Sequence, residues 1–291
     1  MNLAIHGRPF NDDTIPYIQD MFDHINRLGV NIQIYSQFKI FLEKKSIKLP
    51  KHFIYHTRDE VYNADFFISI GGDGTLLETI TYSGEKEIPV LGINTGRLGF
   101  LATTARENTK EALNELKNGT FKLDERSLIK LVSEEDLFNG INFGLNEFAI
   151  LKRDSSSMIV VHTYIDGEYL NSYWADGLIV STPTGSTGYS LSVGGPIVLP
   201  QSSNFIIAPV SPHNLNVRPL VVSDNSVLSF EIEGRSKNFL VALDSRSRAV
   251  PASTKLTVKK ESFKARLVEL KGFNFLQTLR SKLNWGLDLR N

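Results

Sequence analysis

The chain has 291 residues, 41% hydrophobic and 22% charged, the composition of a globular protein with room for one large or two ordinary domains. Lys plus Arg and Asp plus Glu both total 32, so the formal net charge is zero and a role in neutralising nucleic acid is disfavoured. Cysteine is absent, which excludes disulfides, thiolate nucleophiles and Cys-based metal sites. The N-terminal segment lacks a secretory leader pattern and no apolar run approaches the ~20 residues of a membrane span, so a cytoplasmic location is expected.

The first third alternates strand and helix signals. Leu3 to Ile5 reads as a strand, and residues 13–28 show helical spacing, with Ile18, Met21, Phe22, Ile25 and Leu28 on one face and Gly29 closing the helix. A strand over 30–35 and a helix over 38–45 follow. Residues 65–70 form a near-continuous apolar run, as in a buried parallel strand, and end abruptly in Gly71-Gly-Asp-Gly-Thr75. A helix is predicted to open over 76–80, then a strand over 88–93 and a polar-faced helix over 107–116, ending near Gly119. This order predicts an α/β N-terminal domain, residues 1–119, with a mostly parallel open sheet.

After Gly119 helical spacing nearly vanishes. Short β-branched or alternating segments at 127–132, 158–165, 179–181, 205–208, 227–232, 239–243 and 256–258 predict a mostly antiparallel β-rich domain over 120–270, with Asp166-Gly167 as a hairpin turn. Residues 275–285 return to helical spacing, so a terminal helix within 271–291 is expected to pack back on the first domain.

Gly71-Gly-Asp-Gly-Thr75 carries the strongest local signal. Gly71, Gly72 and Gly74 let the backbone turn sharply and present N–H groups to a ligand, and the loop leads toward a helix N-terminus that favours phosphate. A carboxylate among phosphate-binding amides needs its own reason. Asp73 either holds a magnesium ion bridging phosphates or accepts the proton of an attacking hydroxyl. The plainer alternative is a tight turn in which Asp73 bonds its own backbone. The pattern is neither a P-loop nor a Gly-x-Gly-x-x-Gly fingerprint.

A second stretch, residues 175–196, concentrates Ser, Thr and Gly. It reads either as a long surface loop or as a site for phosphate and ribose oxygens, with the Tyr189 ring available to a base. Upstream, Asn146-Glu147 pairs an amide with a carboxylate.

Together these stretches resemble the NAD kinase family, within the superfamily that also holds diacylglycerol-type lipid kinases and phosphofructokinases. The resemblance rests on Gly71–Thr75, Asn94-Thr-Gly-Arg-Leu-Gly-Phe-Leu101, Asn146-Glu147, the run from Asp176 to Ser190 with Gly194-Gly-Pro196, and Pro212-His-Asn-Leu-Asn-Val-Arg-Pro219, all in family order. It implies an α/β domain and an NAD-binding β domain with the active site between them, using magnesium, ATP (or another nucleoside triphosphate or polyphosphate) as donor and NAD as acceptor. Asp73 would be the general base. Gly71, Gly72, Gly74, Thr75 and Arg97 would be binding residues, with Asn146 serving the adenine, Glu147 the adjacent ribose and Asp176 the nicotinamide side. Thr187, Gly188, Tyr189 and Ser192 would line the dinucleotide pocket. The resemblance also implies a homodimer or homotetramer.

One departure stands out. Where the family commonly has Asp-Gly-Gln, this chain reads Asp244-Ser-Arg246, which suggests a different turn; Arg246 either holds a donor phosphate or is a solvated loop residue. His213 either touches phosphate, organises a neighbouring subunit's site or bonds backbone. The six histidines show no close pair at metal-ligand spacing. Two rivals remain: a lipid kinase on the same scaffold, against which stand the polar acceptor-side loop and the lack of a basic amphipathic segment, and a non-catalytic NAD(P)-binding sensor, for which Asp73 would be superfluous.

Overall fold

The computed structural model describes residues 1–96, 99–153 and 157–285. Two compact units emerge, one made of residues 1–124 and 266–291, the other of residues 125–265.

In the first unit, strands β1 (Asn2–Gly7), β2 (Asn31–Tyr35), β3 (His52–Tyr55), β4 (Phe66–Gly71), β5 (Val90–Asn94), β6 (Thr104–Ala105) and β7 (Lys122–Arg126) are interleaved with helices. These are α1 (Ile15–Leu28), α2 (Ser36–Lys44), α3 (Asp73–Ser83) and α4 (Thr109–Asn118). The stripe Ile18, Met21, Phe22 and Ile25 is fully buried, and Gly29 ends α1 in the left-handed region at φ 65°. The helix after the glycine loop begins at Asp73, three residues earlier than its sequence suggests. Glycine is a poor helix former, so propensity alone hides a first turn that contains Gly74.

The second unit holds β8 (Ile129–Val132), β9 (Phe143–Gly144), β10 (Glu147–Leu151), β11 (Ile159–Ile165), β12 (Glu168–Ala175), β13 (Gly177–Ser181) and the short α5 (Tyr189–Ser192). It continues with β14 (Asn204–Val210), β15 (Leu220–Ser223), β16 (Leu228–Glu233), β17 (Asn238–Leu243), β18 (Arg246–Pro251) and β19 (Leu256–Lys260). The chain then returns to the first unit with β20 (Ala265–Glu269) and α6 (Phe275–Leu283).

The first sheet runs β3-β2-β1-β4-β5-β20-β7, with β6 beside β5, and its β1–β5 ladders are parallel. The return of β20 to pair with β5 in parallel lies inside the stretch whose sequence reads as β-rich domain. Its alternating pattern fits either sheet, so only tertiary pairing decides.

The second unit is a sandwich of two six-stranded antiparallel sheets, β15-β14-β13-β10-β17-β18 and β12-β11-β16-β19-β8-β9. Residues of both inner faces, among them Phe148, Val180, Phe205 and Phe239 on one and Val161, Phe230 and Val258 on the other, form one core. Phe148 and Phe230 meet with ring centroids 5.8 Å apart.

Candidate active site

In the first unit the glycine loop sits where β4 ends and α3 begins, at the carboxyl edge of a parallel sheet, the usual ligand crevice of such sheets. Gly72 and Gly74 are exposed with open space where a side chain would be, so their backbone is accessible. Gly71 instead packs tightly: a Cβ there would lie 2.2 Å from Thr75 Oγ1. The N–H groups of Thr75 and Leu76 donate to the Gly72 carbonyl at 3.0 and 3.2 Å, and the N-terminus of α3 carries the positive end of the helix dipole.

Asp73 does not merely bond its own turn. Its Oδ2 accepts the backbone N–H of Phe100 at 2.8 Å, and its Oδ1 those of Leu101 and Ala102 at 3.0 and 2.9 Å. The carboxylate is thereby fixed against the loop that follows Asn94-Thr-Gly96, with Oδ2 taking a single protein donor among the described residues. Gly99 makes this approach possible, since a Cβ there would fall 1.9 Å from Asp73 Oδ1. Arg97 lies outside the described residues.

In the second unit Asp244 occupies the two-residue connection between β17 and β18, at φ 50°. Its carboxylate accepts the N–H groups of Leu145, Asn146 and Glu147 at 2.8, 2.8 and 3.1 Å. The Asp244-Ser-Arg246 turn is therefore a tight one, with aspartate in the left-handed position that it tolerates better than most residues. Arg246 is no solvated loop residue. Its guanidinium donates to the carbonyl oxygens of Ile141 and Phe143 and lies 5.7 Å from the Phe138 ring centroid.

The Ser/Thr-rich stretch is not a surface loop either. Ser181, Thr182, Ser186 and Ser190 are fully buried and Thr184 nearly so. Thr182 Oγ1 donates to the Leu145 carbonyl at 2.5 Å, and the Asn146 carbonyl accepts Thr182 N–H at 2.8 Å and Ser181 Oγ at 3.4 Å. Gly185 lets the two segments touch, since a Cβ there would lie 2.2 Å from the Asn146 oxygen. The buried hydroxyls thus hold the backbone of 145–147, a role that composition does not reveal.

What this scaffold leaves over is specific. Among the described residues, Asn146 Oδ1 and Glu147 Oε2 are buried without a hydrogen-bond partner. Such atoms are costly unless something supplies a donor. The empty Cβ position of Gly188 lies 3.4 Å from Glu147 Oε2 and 3.7 Å from Asn146 Nδ2. Burial pushes the Glu147 carboxyl up to about 7, the Asp244 charge adds to the rise, and a backbone hydrogen bond from Tyr189 opposes it. Burial likewise raises the Asp244 carboxyl despite its three amide donors. Beyond Gly188 the chain turns outward: Tyr189 is 38% exposed and Ser192 is exposed, while Thr187 is half-buried with its hydroxyl donating to the Thr184 carbonyl at 3.3 Å. Asp176 pairs with Lys152 at 2.6 Å. His213 is exposed and its backbone N–H donates to the Trp174 carbonyl at 2.8 Å. Among the described residues no three His, Cys, Asp or Glu side chains converge as a metal site.

A parallel sheet presenting a Gly-Gly-Asp-Gly loop, joined in one chain to a β-sandwich with buried acceptors, is the scaffold that the resemblance to glycine-loop kinases leads one to expect. Residues 35–121 match the ATP-NAD kinase N-terminal domain and residues 145–270 the ATP-NAD kinase C-terminal domain. An NAD kinase of Cytophaga hutchinsonii is 59% identical and one of Flavobacterium psychrophilum 43%, each alignment covering 100% of both chains. Among solved structures, an Archaeoglobus fulgidus NAD kinase in complex with ATP is 26% identical, with a TM-score of 0.77 over 98% of this chain and 99% of that one. A yeast NADH kinase complexed with NADH has the same fold, with a TM-score of 0.89 at 23% identity over 100% of this chain and 89% of that one. The chain belongs to the NAD kinase family.

Proposed function

We propose that the chain is an NAD kinase, transferring the terminal phosphoryl group of ATP to the 2′-hydroxyl of the adenosine ribose of NAD and releasing ADP and NADP. The observation that carries the reading is the pair of partnerless acceptors, Asn146 Oδ1 and Glu147 Oε2. An adenine amino group and a ribose hydroxyl are donors of the kind these two atoms lack, and Tyr189 offers a ring to stack on a base. Asp176, Thr187, Gly188 and Ser192 complete the acceptor surface in this proposal. Arg246 donates to two carbonyl oxygens, and in this proposal it shapes the backbone of residues 141–143.

On the donor side, the amides around Gly71, Gly72, Gly74 and Thr75 hold phosphate, joined by Arg97. A ribose hydroxyl is a poor nucleophile at neutral pH, so the reaction needs positioning, charge neutralisation and a proton acceptor. Asp73 supplies the last through Oδ2, where protein donors leave capacity, while Phe100, Leu101 and Ala102 keep the carboxylate aimed. Magnesium would be held by the donor phosphates at the Gly71–Thr75 loop and would supply charge neutralisation there. Glu147 and Asn146 orient the ribose. The family resemblance supports a homodimer or homotetramer in the cytoplasm, and among the described residues no helix is long and apolar enough to cross a membrane.

The test is to incubate the purified protein with NAD, ATP and magnesium and follow NADP with an NADP-specific dehydrogenase. Magnesium-dependent NADP is expected. NADP from polyphosphate alone would change the donor; stabilisation by NAD without turnover would favour the sensor; phosphorylation of diacylglycerol would favour the lipid kinase.

A further inference from the structure

Beside the glycine loop stands a group of side chains that the reaction, as described, does not use. Arg8 follows β1, and its backbone N–H donates to the Ile70 carbonyl at 3.2 Å, which places it next to the residue that opens the loop. Its guanidinium is gripped along one edge: Nε donates to Glu78 Oε2 and Nη2 to Glu78 Oε1, both at 2.7 Å. Glu78 lies on α3, about 7.5 Å along the helix from Asp73 at the usual rise. This side-on fork consumes two of five N–H donors and leaves Nη1 and the second Nη2 hydrogen pointing away from Glu78. The Arg8 side chain is 59% exposed, so those donors are open.

Glu78 is held from behind. His6 is wholly buried, with Nε2 at 3.4 Å from Glu78 Oε2 and its ring stacked on Tyr35 at 4.5 Å and against Tyr82 at 4.6 Å. The Tyr55 hydroxyl lies 3.4 Å from His6 Nδ1. Although burial opposes it, the nearby His6 ring and the paired Arg8 hold the Glu78 carboxyl below its ordinary value, and Glu78 raises the Arg8 guanidinium in return. An exposed ion pair contributes little to stability, so stability gives little reason for an imidazole and three tyrosines to brace one. Preorganising an arginine does give one. Fixing the guanidinium beforehand lowers the rotamer entropy lost at the moment of binding.

We propose that Arg8 binds the donor polyphosphate through its free end, and that Glu78, backed by His6, is its positioning residue. The inference rests on reading Gly71–Thr75 as the donor-phosphate loop. That loop carries the carboxylate of Asp73, which repels phosphate, and a cation whose backbone borders Ile70, the residue before the loop, would offset the repulsion. Guanidinium geometry suits two phosphate oxygens at once, whereas an ammonium would act only as a point charge.

The test measures equilibrium binding of ATP, inorganic tripolyphosphate and NAD to the full chain and to Arg8→Gln, Arg8→Lys and Glu78→Gln, with thermal melts of each. Arg8→Gln should weaken ATP and tripolyphosphate alike by about tenfold, the scale of one charge-assisted contact, with NAD binding unchanged. Arg8→Lys should recover part of the loss, and Glu78→Gln should show a smaller loss with the same selectivity. In turnover, KM for ATP should rise in Arg8→Gln while KM for NAD stays put. Wild-type affinity for tripolyphosphate in Arg8→Gln, or a lowered melting temperature without that selective loss, overturns the assignment. If wild-type protein makes NADP and Arg8→Gln keeps its KM for ATP, only the role of Arg8 falls; if wild-type protein makes no NADP, the donor-loop reading falls first.

Discussion

Asp73 opens a helix in the first unit and Asp244 turns a hairpin in the second, yet each carboxylate accepts three successive backbone N–H groups. Asp73 takes those of residues 100–102 and Asp244 those of residues 145–147. In both cases a glycine precedes the three donors, Gly99 in one and Gly144 in the other. The difference lies in what each arrangement exposes. Asp73 is itself only half-buried and keeps capacity at Oδ2, so it can meet a ligand directly. Asp244 is spent on the backbone, and the group it presents is its neighbour Glu147, whose carboxyl it helps to raise. One local device thus serves one aspartate as an aiming mount and makes the other a mount for someone else's side chain.

The sharpest way to break the comparison is Asp73→Asn. If Asp73 touches the reacting hydroxyl, turnover should drop at least ~100-fold while NAD binding persists. Near-normal kcat in that variant would reduce Asp73 to a loop anchor and make the two aspartates equivalent.

Glu147 sharpens it next. Its folded value of about 7 lies above the ordinary 4.5, so between those limits the folded state keeps a proton that the unfolded chain has lost. Stability should therefore fall as pH rises through that window, by up to about 1.4 kcal/mol per unit, and level off above pH 7. Glu147→Gln should lack this contribution, read as the difference between the two denaturation series. Parallel curves would show that Glu147 carries no raised titration.

Asp244→Asn should act through the acceptor side. Replacing one carboxylate oxygen by an NH₂ facing backbone N–H groups should cost about 1.5–3 kcal/mol in denaturant unfolding. It should also raise KM for NAD more than it lowers kcat, the reverse of Asp73→Asn. A kcat defect alone would contradict a purely positioning role.

The glycine pair gives the smallest effects. A Cβ at Gly99 would lie 1.9 Å from Asp73 Oδ1 and one at Gly144 2.9 Å from Asp244 Oδ1. Gly99→Ala should cost about 1–3 kcal/mol by overpacking and lower kcat by displacing the Asp73 carboxylate. Gly144→Ala, where a few tenths of an ångström suffice, should cost less in the same unfolding assay. Equal costs would mean that the first loop yields as readily as the second.

The sequence made the elements of the first unit legible where period is strong, as in the buried stripe of α1 and the apolar run of β4. It hid β3, whose short run includes the exposed Phe53 and Ile54, and the start of α3, whose first turn contains a glycine. It also hid β20, because pairing across more than 170 residues with Val90 leaves no local trace. In the site, the glycine loop and Asn146-Glu147 were recognisable as patterns. The grip of Asp244 on residues 97–99 positions upstream was not, and the buried Ser and Thr of 181–190 resembled a flexible loop because composition records hydroxyls without their partners. Arg8 and Glu78 went unnoticed for the same reason: each is an ordinary charged residue until the fold joins them.

The main chain of Asn146 has both polar groups committed, its N–H to Asp244 and its carbonyl to Ser181 and Thr182. Anyone re-engineering this enzyme for a different dinucleotide therefore inherits a frame that cannot be bargained with piecemeal. Residues 145–147, 181–186 and 244 would have to be transplanted as a block, while the side chains of Asn146 and Glu147 can be exchanged without breaking that main-chain frame.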